Sequence, residues 1–496
     1  MAEASTAVPG TFESDVSKSI RDAAQLGISL LATWSVALIV RIMIPRHLGP
    51  TMFGSFDFAD AFTATVVVIG SFGVDTYIRK EMPTRAADAG NFFGGTIVIR
   101  LVVGVLVMVG AVLALRAAGQ PPLLLRLVAI LGAAQIIAQI NSSYAALLQS
   151  VGAVGGQSLA NVFAKIVWGA GIVIAFAVGG QVASVAVMML IAELVRLVWL
   201  AALTRRKANL RYRFDLTMSF GVLFAAFPYY VTQLAQTVYT RIDISIMAFL
   251  TTRIEVGWYG AAQNIAGMSL LLSPIIGWIL LPLSSRVGQR SQEEMLRVFR
   301  RAMDAVLAIA FPIALTLGLG ADVIVRVAFG EAFTPAVESL RLLAPAFVLT
   351  YVTMLEASVL VRIGRGWALT AIVISTMVIS PVLNLWLIPL GLSLHGTGGA
   401  GMGASVAQLL TESYSVIAMT VVLKDHVFDR KTSLHFAKTI VAALVVIVAH
   451  DVMAPMHAWR YPIDVLLYVS IVIGWGAFEW RAWSGVISGA LRRRPG

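Results

Sequence analysis

Fourteen apolar stretches, each about as long as a bilayer-crossing helix, run almost end to end through this chain. A hydrocarbon core of roughly 30 Å needs about 20 apolar residues per helix. With 58% of the 496 residues hydrophobic and 13% charged, little is left over for a soluble domain. The predicted spans are residues 20–44, 54–78, 93–115, 123–148, 157–178, 182–203, 221–249, 257–282, 299–320, 337–361, 367–390, 401–423, 434–454 and 461–483. Connections are short, the longest near 204–220, 283–298, 321–336 and 424–433. The expected fold class is an all-α polytopic membrane protein with about 14 transmembrane helices.

The net charge of +11 would suggest nucleic acid in a soluble protein, but its distribution gives a better account. With the N-terminus in the cytoplasm and sides alternating, 25 Lys and Arg fall on the cytoplasmic side, in runs such as Arg205-Arg206-Lys207 and Arg492-Arg493-Arg494. Only 6 fall outside: Arg46, Arg116, Arg126, Arg253, Arg326 and Arg460. This bias follows the positive-inside rule and predicts a multi-pass protein with both termini cytoplasmic. Topology and contact with anionic lipid explain the basic runs, and no nucleic-acid partner is expected. Residues 1–19 are mixed polar and charged, so the N-terminus is read as uncleaved. The chain has no cysteine, which excludes disulfides and thiolate chemistry, and its six histidines show no metal-ligand spacing.

The chain also reads as a duplication. Leu48-Gly49-Pro50-Thr51-Met52-Phe53-Gly54-Ser55-Phe56 enters the second span, and Thr252-Arg253-Ile254-Glu255-Val256-Gly257-Trp258-Tyr259 enters the eighth. Both place Gly-x-aromatic at the start of the second helix of a hairpin, about 203 residues apart. Six spans, an even number, fit between them, so the copies share one orientation, as in parallel-repeat transporters. The expected organisation is an N-terminal six-helix bundle at 1–204, a second at 216–424, and two additional helices within 434–484.

Six basic residues fall inside spans: Arg41, Arg100, Lys165, Arg196, Arg241 and Arg341. A central Lys or Arg facing lipid costs roughly 2.5–3.5 kcal/mol, so deep ones must pair or face a wet interior. Glu193 and Arg196 predict a local i,i+3 pair, and Asp75 and Arg79 an i,i+4 pair. Arg100 and Arg341 lie within two turns of span ends and can snorkel. Lys165 is near mid-span with no partner at helical spacing, which makes it a cavity candidate. Arg41 shares its depth with Asp57 and Asp60 across a hairpin, leaving both a structural salt bridge and a substrate contact open. Arg241 and Asp243, two residues apart, point to different faces and cannot neutralise each other along the helix. Tyr229, Gln233 and Gln236 form a polar face on the seventh span suited to hydroxyl-rich ligands, although interhelical bonding is their commoner use. Phosphate-loop, HExxH and GxSxG motifs are absent, and no outside loop exceeds about 16 residues, so an enzyme is not expected.

The stretch Leu48-Gly49-Pro50 … Phe53-Gly54, followed by Gly73-Val74-Asp75 … Ile78-Arg79-Lys80-Glu81, resembles the opening of the polysaccharide transporter family. Arg241-Ile242-Asp243 … Glu255-Val256-Gly257-Trp258-Tyr259 resembles that family's second-half signature. These are O-antigen and exopolysaccharide flippases, in one superfamily with multidrug exporters and lipid II flippases. The resemblance implies two six-helix bundles around a cavity that opens alternately to each side. It also implies a substrate, an oligosaccharide repeat unit on polyprenyl pyrophosphate, and a bacterial inner membrane location. A polysaccharide polymerase and a chain-length regulator are the implied protein partners, with membrane lipids around the chain. Arg41, Lys165, Arg241 and Arg100, with Tyr229, Gln233 and Gln236, are the candidate substrate-binding residues. Arginine's planar fork suits a diphosphate that cannot cross hydrocarbon alone. No cofactor is expected. Coupling to an H+ or Na+ gradient would fall on Asp57, Asp60, Asp243 or Glu356. The competing readings are a cation-coupled multidrug or metabolite exporter, which predicts an acidic cavity, a lipid II flippase, and a membrane glycosyltransferase or polymerase.

Overall fold

Hydrocarbon offers a backbone no hydrogen-bond partner, so apolar segments of this length satisfy themselves as helices. The computed structural model describes residues 10–81, 89–208, 216–272, 292–424 and 430–476, and among these there is no strand. In chain order the helices are α1 Gly10–Val67, α2 Val74–Glu81, α3 Ala89–Ala117, α4 Pro122–Ser150, α5 Val154–Ala177, α6 Val182–Ala208, α7 Leu216–Leu250 and α8 Arg253–Met268. They continue as α9 Gln292–Leu319, α10 Ala321–Phe329, α11 Ala336–Arg362, α12 Gly366–His395, α13 Gly399–Leu423, α14 Arg430–Val452 and α15 Arg460–Gly474.

Among the described residues, ten helices are long and apolar enough to cross a membrane. One of them, Trp34–Gly70, runs across Gly49 and covers two predicted spans. Helix α7 is apolar over much of its length but carries Gln233, Gln236, Arg241 and Asp243 in its second half. The predicted spans at 257–282 and 461–483 extend beyond the described residues. The protein is thus an all-α polytopic membrane protein, and about 14 spans fit it.

Three local expectations change. The connection expected between the first two spans shrinks to a break at Gly49, whose φ of 71° only glycine adopts readily. The span predicted at 54–78 is discontinuous. Helix α1 ends at Val67, a 3-10 turn covers Val68–Gly70, and α2 begins at Val74. Phe72 and Gly73 both have positive φ there, and a Cβ on Gly73 would lie 2.3 Å from the backbone nitrogen of Tyr230. The predicted loop at 321–336 contains α10 and a 3-10 turn at Glu331–Phe333.

Packing sorts the chain into two compact units, residues 1–48 with 55–242, and residues 49–54 with 243–496. Helix α7 therefore belongs to the first unit as far as Ile242. The division by repeat expected from the sequence is a different kind of division and stays a proposal. In the first unit α4 packs on α2, α3 and α6, and α6 on α5. In the second, α11 packs on α8, α9 and α13, and α13 on α12. A core of Met303, Leu307, Val352, Leu355, Val359, Leu360 and Leu423 fills the α9–α11–α13 seam. Helices α14 and α15 close onto α9 through Leu315, Ala442, Val446, Tyr468 and Val472. His435 of α14 meets Asp304 of α9 at 3.2 Å, and His450 meets Asp464 of α15 at 2.6 Å.

The two Gly-x-aromatic motifs meet within the second unit. A Cβ on Gly54 would lie 1.8 Å from the carbonyl oxygen of Arg253, and one on Gly257 would lie 1.9 Å from that of Pro50. Each glycine thus receives the carbonyl four residues before the other glycine, the reciprocity of a two-fold contact between equal segments. Phe53 packs edge-on to Phe333, and the Trp258 indole donates to the Ala332 carbonyl at 2.8 Å. Glu255 accepts from Gly398 N–H at 2.7 Å and from the N–H groups of Ala400 and Gly401, and so caps α13. Burial nevertheless pushes its carboxyl above the ordinary carboxylate range. Replacing Gly54 or Gly257 by Ala should force the backbones apart and cost about 1–3 kcal/mol or more. Thermal unfolding of detergent-solubilised protein should show a lowered Tm for both, while Gly110→Ala, with nothing within 4 Å, should match the parent.

Candidate functional site

The helices of the first unit bring most of the predicted intramembrane charge to one place. Arg41 and Asp60 lie on α1 on either side of the Gly49 break. Asp60 accepts from Gln135 Nε2 of α4 at 3.1 Å and faces Arg241 of α7, with 3.8 Å between Nη1 and Oδ2. Arg41 interacts electrostatically with Arg241, Asp60 and Asp57. Lys165 of α5 interacts with Glu193 and Arg196 of α6, and with Arg41 and Asp60. Its ammonium also stands 4.6 Å from the Trp168 ring. Glu193 and Arg196 form the predicted local pair at 3.5 Å, and Asn141 of α4 donates to the Glu193 carboxylate at 2.8 Å. The cluster holds four cations, Arg41, Lys165, Arg196 and Arg241, against three carboxylates, Asp57, Asp60 and Glu193.

The cluster is also accessible. The Arg241 side chain is 37% exposed and that of Asp60 17%, so both can meet a ligand without unfolding anything. Lys165 is exposed and Arg41 half-buried. Such an arrangement offers an anion several cationic donors from different helices.

Other sequence candidates go elsewhere. Arg100 is 1% exposed and pairs with Asp75 at 2.7 Å. It also donates to Ser143 Oγ and to the Ser71 carbonyl in the break between α1 and α2, an oxygen that also accepts from Val74 N–H at 3.4 Å. Gln139 supports the same break by donating to Val67 O at 2.7 Å. Arg100 therefore neither snorkels nor faces a ligand. Asp75 looks to Arg100 rather than to Arg79, because the break turns it inward, and Arg79 donates to Gln149 instead at 3.0 Å. Tyr229 accepts from Lys80 Nζ at 3.2 Å, which holds that exposed ammonium in its charged form. Twelve residues of helix, about 18 Å, separate Tyr229 from Arg241. Gln233 is half-buried and Gln236 exposed on the same helix between them.

Asp243 belongs to the second unit, where it accepts from the Tyr259 hydroxyl at 2.5 Å and from Gln263 at 2.8 Å. Glu356 is fully buried and accepts from Thr420 at 2.6 Å. Glu412, also buried, accepts from Thr350 and Thr353. Of the six basic residues within predicted spans, five lie in the first unit. The sixth, Arg341, pairs with Glu338 at 2.6 Å in the second. Sequence reasoning missed that Gln135 and Asn141 join this cluster. Their presence in an apolar helix marked them as polar, but which neighbours they meet depends on how α4 packs.

A family model described as "Polysaccharide biosynthesis protein" matches residues 43–338, more than half of the chain, and the chain belongs to that family. A curated relative from Haloferax volcanii, described as "Probable low-salt glycan biosynthesis flippase Agl15", is 23% identical over 309 residues. That match covers 60% of this chain and 62% of the relative, less than two thirds of its length. Among solved structures, an inward-facing multidrug resistance MATE family transporter of the MOP superfamily has a TM-score of 0.65 at 15% identity. The match covers 82% of this chain and 98% of that one. Lipid II flippase MurJ, in an inward closed conformation, also has a TM-score of 0.65, at 14% identity over 96% of this chain and all of its own. At such identities these likenesses establish a shared fold.

Removing one member of the buried Asp75–Arg100 pair leaves an uncompensated charge, at a cost of about 3–5 kcal/mol. Arg100→Met and Asp75→Asn should each lower the Tm of the solubilised protein and its level in the membrane. An unchanged Tm for Arg100→Met would show that the break between α1 and α2 does not need this clamp.

Proposed function

We propose that the protein is a flippase that carries polyprenyl-pyrophosphate-linked oligosaccharide repeat units from the cytoplasmic to the outer leaflet by alternating access. It would do so in a bacterial inner membrane, with both termini cytoplasmic, for surface polysaccharide synthesis. The observation that carries this reading is the accessible set of Arg41, Lys165 and Arg241 from three helices of one unit. Family membership and the flippase description of the Haloferax relative support the same direction.

The physical task is to bring a diphosphate across hydrocarbon. Desolvating such a head without compensation is prohibitive. Guanidinium forks and an ammonium replace the lost water, and the glycan takes hydrogen bonds from polar side chains such as Gln233 and Gln236. The prenyl tail stays in lipid. A polysaccharide polymerase and a chain-length regulator would receive the product. Any coupling ion would act at an intramembrane carboxylate, and Glu356 in the second unit is the most secluded of these.

A lipid II flippase would use the same head chemistry with another glycan, so the cluster serves either, and family membership favours the polysaccharide substrate. An exporter of cationic compounds would need an acidic excess at the site, the opposite of this cluster.

Charge reversal tests the reading. Arg41→Glu or Arg241→Glu should abolish surface polysaccharide while protein level in the membrane stays near that of the parent. Normal polymer in both variants would refute it. In a deletion strain, the polyprenyl-linked glycan that accumulates on the cytoplasmic face would identify the substrate.

A further inference from the structure

Asp60 acts on all three accessible cations of the cluster, Arg41, Lys165 and Arg241. Its two oxygens are divided between them and α4. Oδ2 faces Arg241 at 3.8 Å, a separation that allows attraction without a closed hydrogen bond, and Oδ1 accepts from the Gln135 amide at 3.1 Å. Asp75, by contrast, is bonded to Arg100 at 2.7 Å in a site with no access. The first unit thus holds one carboxylate locked in a structural pair and another loosely held among accessible cations.

We propose that Asp60 is a resident counter-anion that holds the place of the substrate's diphosphate and is displaced by it. This rests on the flippase reading above. With no substrate, Asp60 keeps the cations from repelling one another and keeps their side chains gathered. A diphosphate brings at least two negative charges and several acceptor oxygens, so it outcompetes a single carboxylate for the same donors. Gln135 then retains Asp60 through its other oxygen, so that the carboxylate need not leave the site. When the head departs, Asp60 returns to the cations. Release on the far side is thereby assisted by an internal competitor, and the empty carrier resets with its charge balanced.

A residue that merely orients Arg41 and Arg241 would weaken ligand binding when removed. A place-holder does the reverse: its neutralisation tightens binding and slows release. Purified full-length protein in lipid nanodiscs can be titrated with farnesyl pyrophosphate as the probe, and with farnesol as its uncharged counterpart. The expected result is that Asp60→Asn binds farnesyl pyrophosphate about tenfold more tightly than the parent, with farnesol binding unchanged. Surface polysaccharide in cells should fall despite the tighter binding. Asp60→Ser, of different shape, should tighten binding in the same sense, which guards against a folding defect in either variant. If both variants bind farnesyl pyrophosphate as the parent does or more weakly, while Arg241→Gln abolishes binding, the place-holder role is overturned and the diphosphate site stands. If the parent itself shows no preference for farnesyl pyrophosphate over farnesol, the flippase reading fails and this proposal with it.

Discussion

Charge inside a bilayer must be compensated, and the way this chain compensates it organises the rest. Beside the buried Arg100–Asp75 pair, the first unit holds a cluster of Arg41, Lys165, Arg196 and Arg241 with Asp57, Asp60 and Glu193. Two like charges about 8 Å apart repel by about 2 kcal/mol at an effective dielectric constant of about 20. An uncompensated set would therefore push its own helices apart. Placing Asp60, Asp57 and Glu193 among the cations removes most of that cost, yet leaves Arg41, Lys165 and Arg241 open to a stronger anion.

The same unit shows what a closed solution looks like. Arg100 gathers Asp75, Ser143 and the Ser71 carbonyl in the break after α1, and it is buried. The Arg100 clamp and the Asp60 cluster differ in access: the first is buried, and the second is partly exposed. The second unit solves a different problem. Its buried acids Asp243, Glu356 and Glu412 accept from hydroxyl and amide groups, and its motif glycines Gly54 and Gly257 allow backbones to touch.

Much of this was legible in the sequence. Span length and composition set the fold class, since only helices of this length satisfy a backbone in lipid. The spacing of Glu193 and Arg196 foretold their pair, and the two-residue offset of Arg241 and Asp243 foretold their divergence, which places them in different packing units. The two Gly-x-aromatic motifs stood out in the sequence, but their packing against each other did not. What the sequence could not carry was long-range choice of partner. Asp75 has Arg79 at helical spacing and Arg100 only through the packing of α3, and the break at Phe72 and Gly73 decides between them. The His435–Asp304 and His450–Asp464 contacts were likewise invisible, because each joins residues on separate helices with no periodic signal.

In the proposed function the charge of the lipid head selects the cargo. Reconstitution into proteoliposomes with two synthetic lipids, alike in polyprenyl tail and glycan but joined through a diphosphate in one and an uncharged ether in the other, tests it most directly. The diphosphate lipid should change leaflet and the ether lipid should not. Equal movement of the two would contradict it.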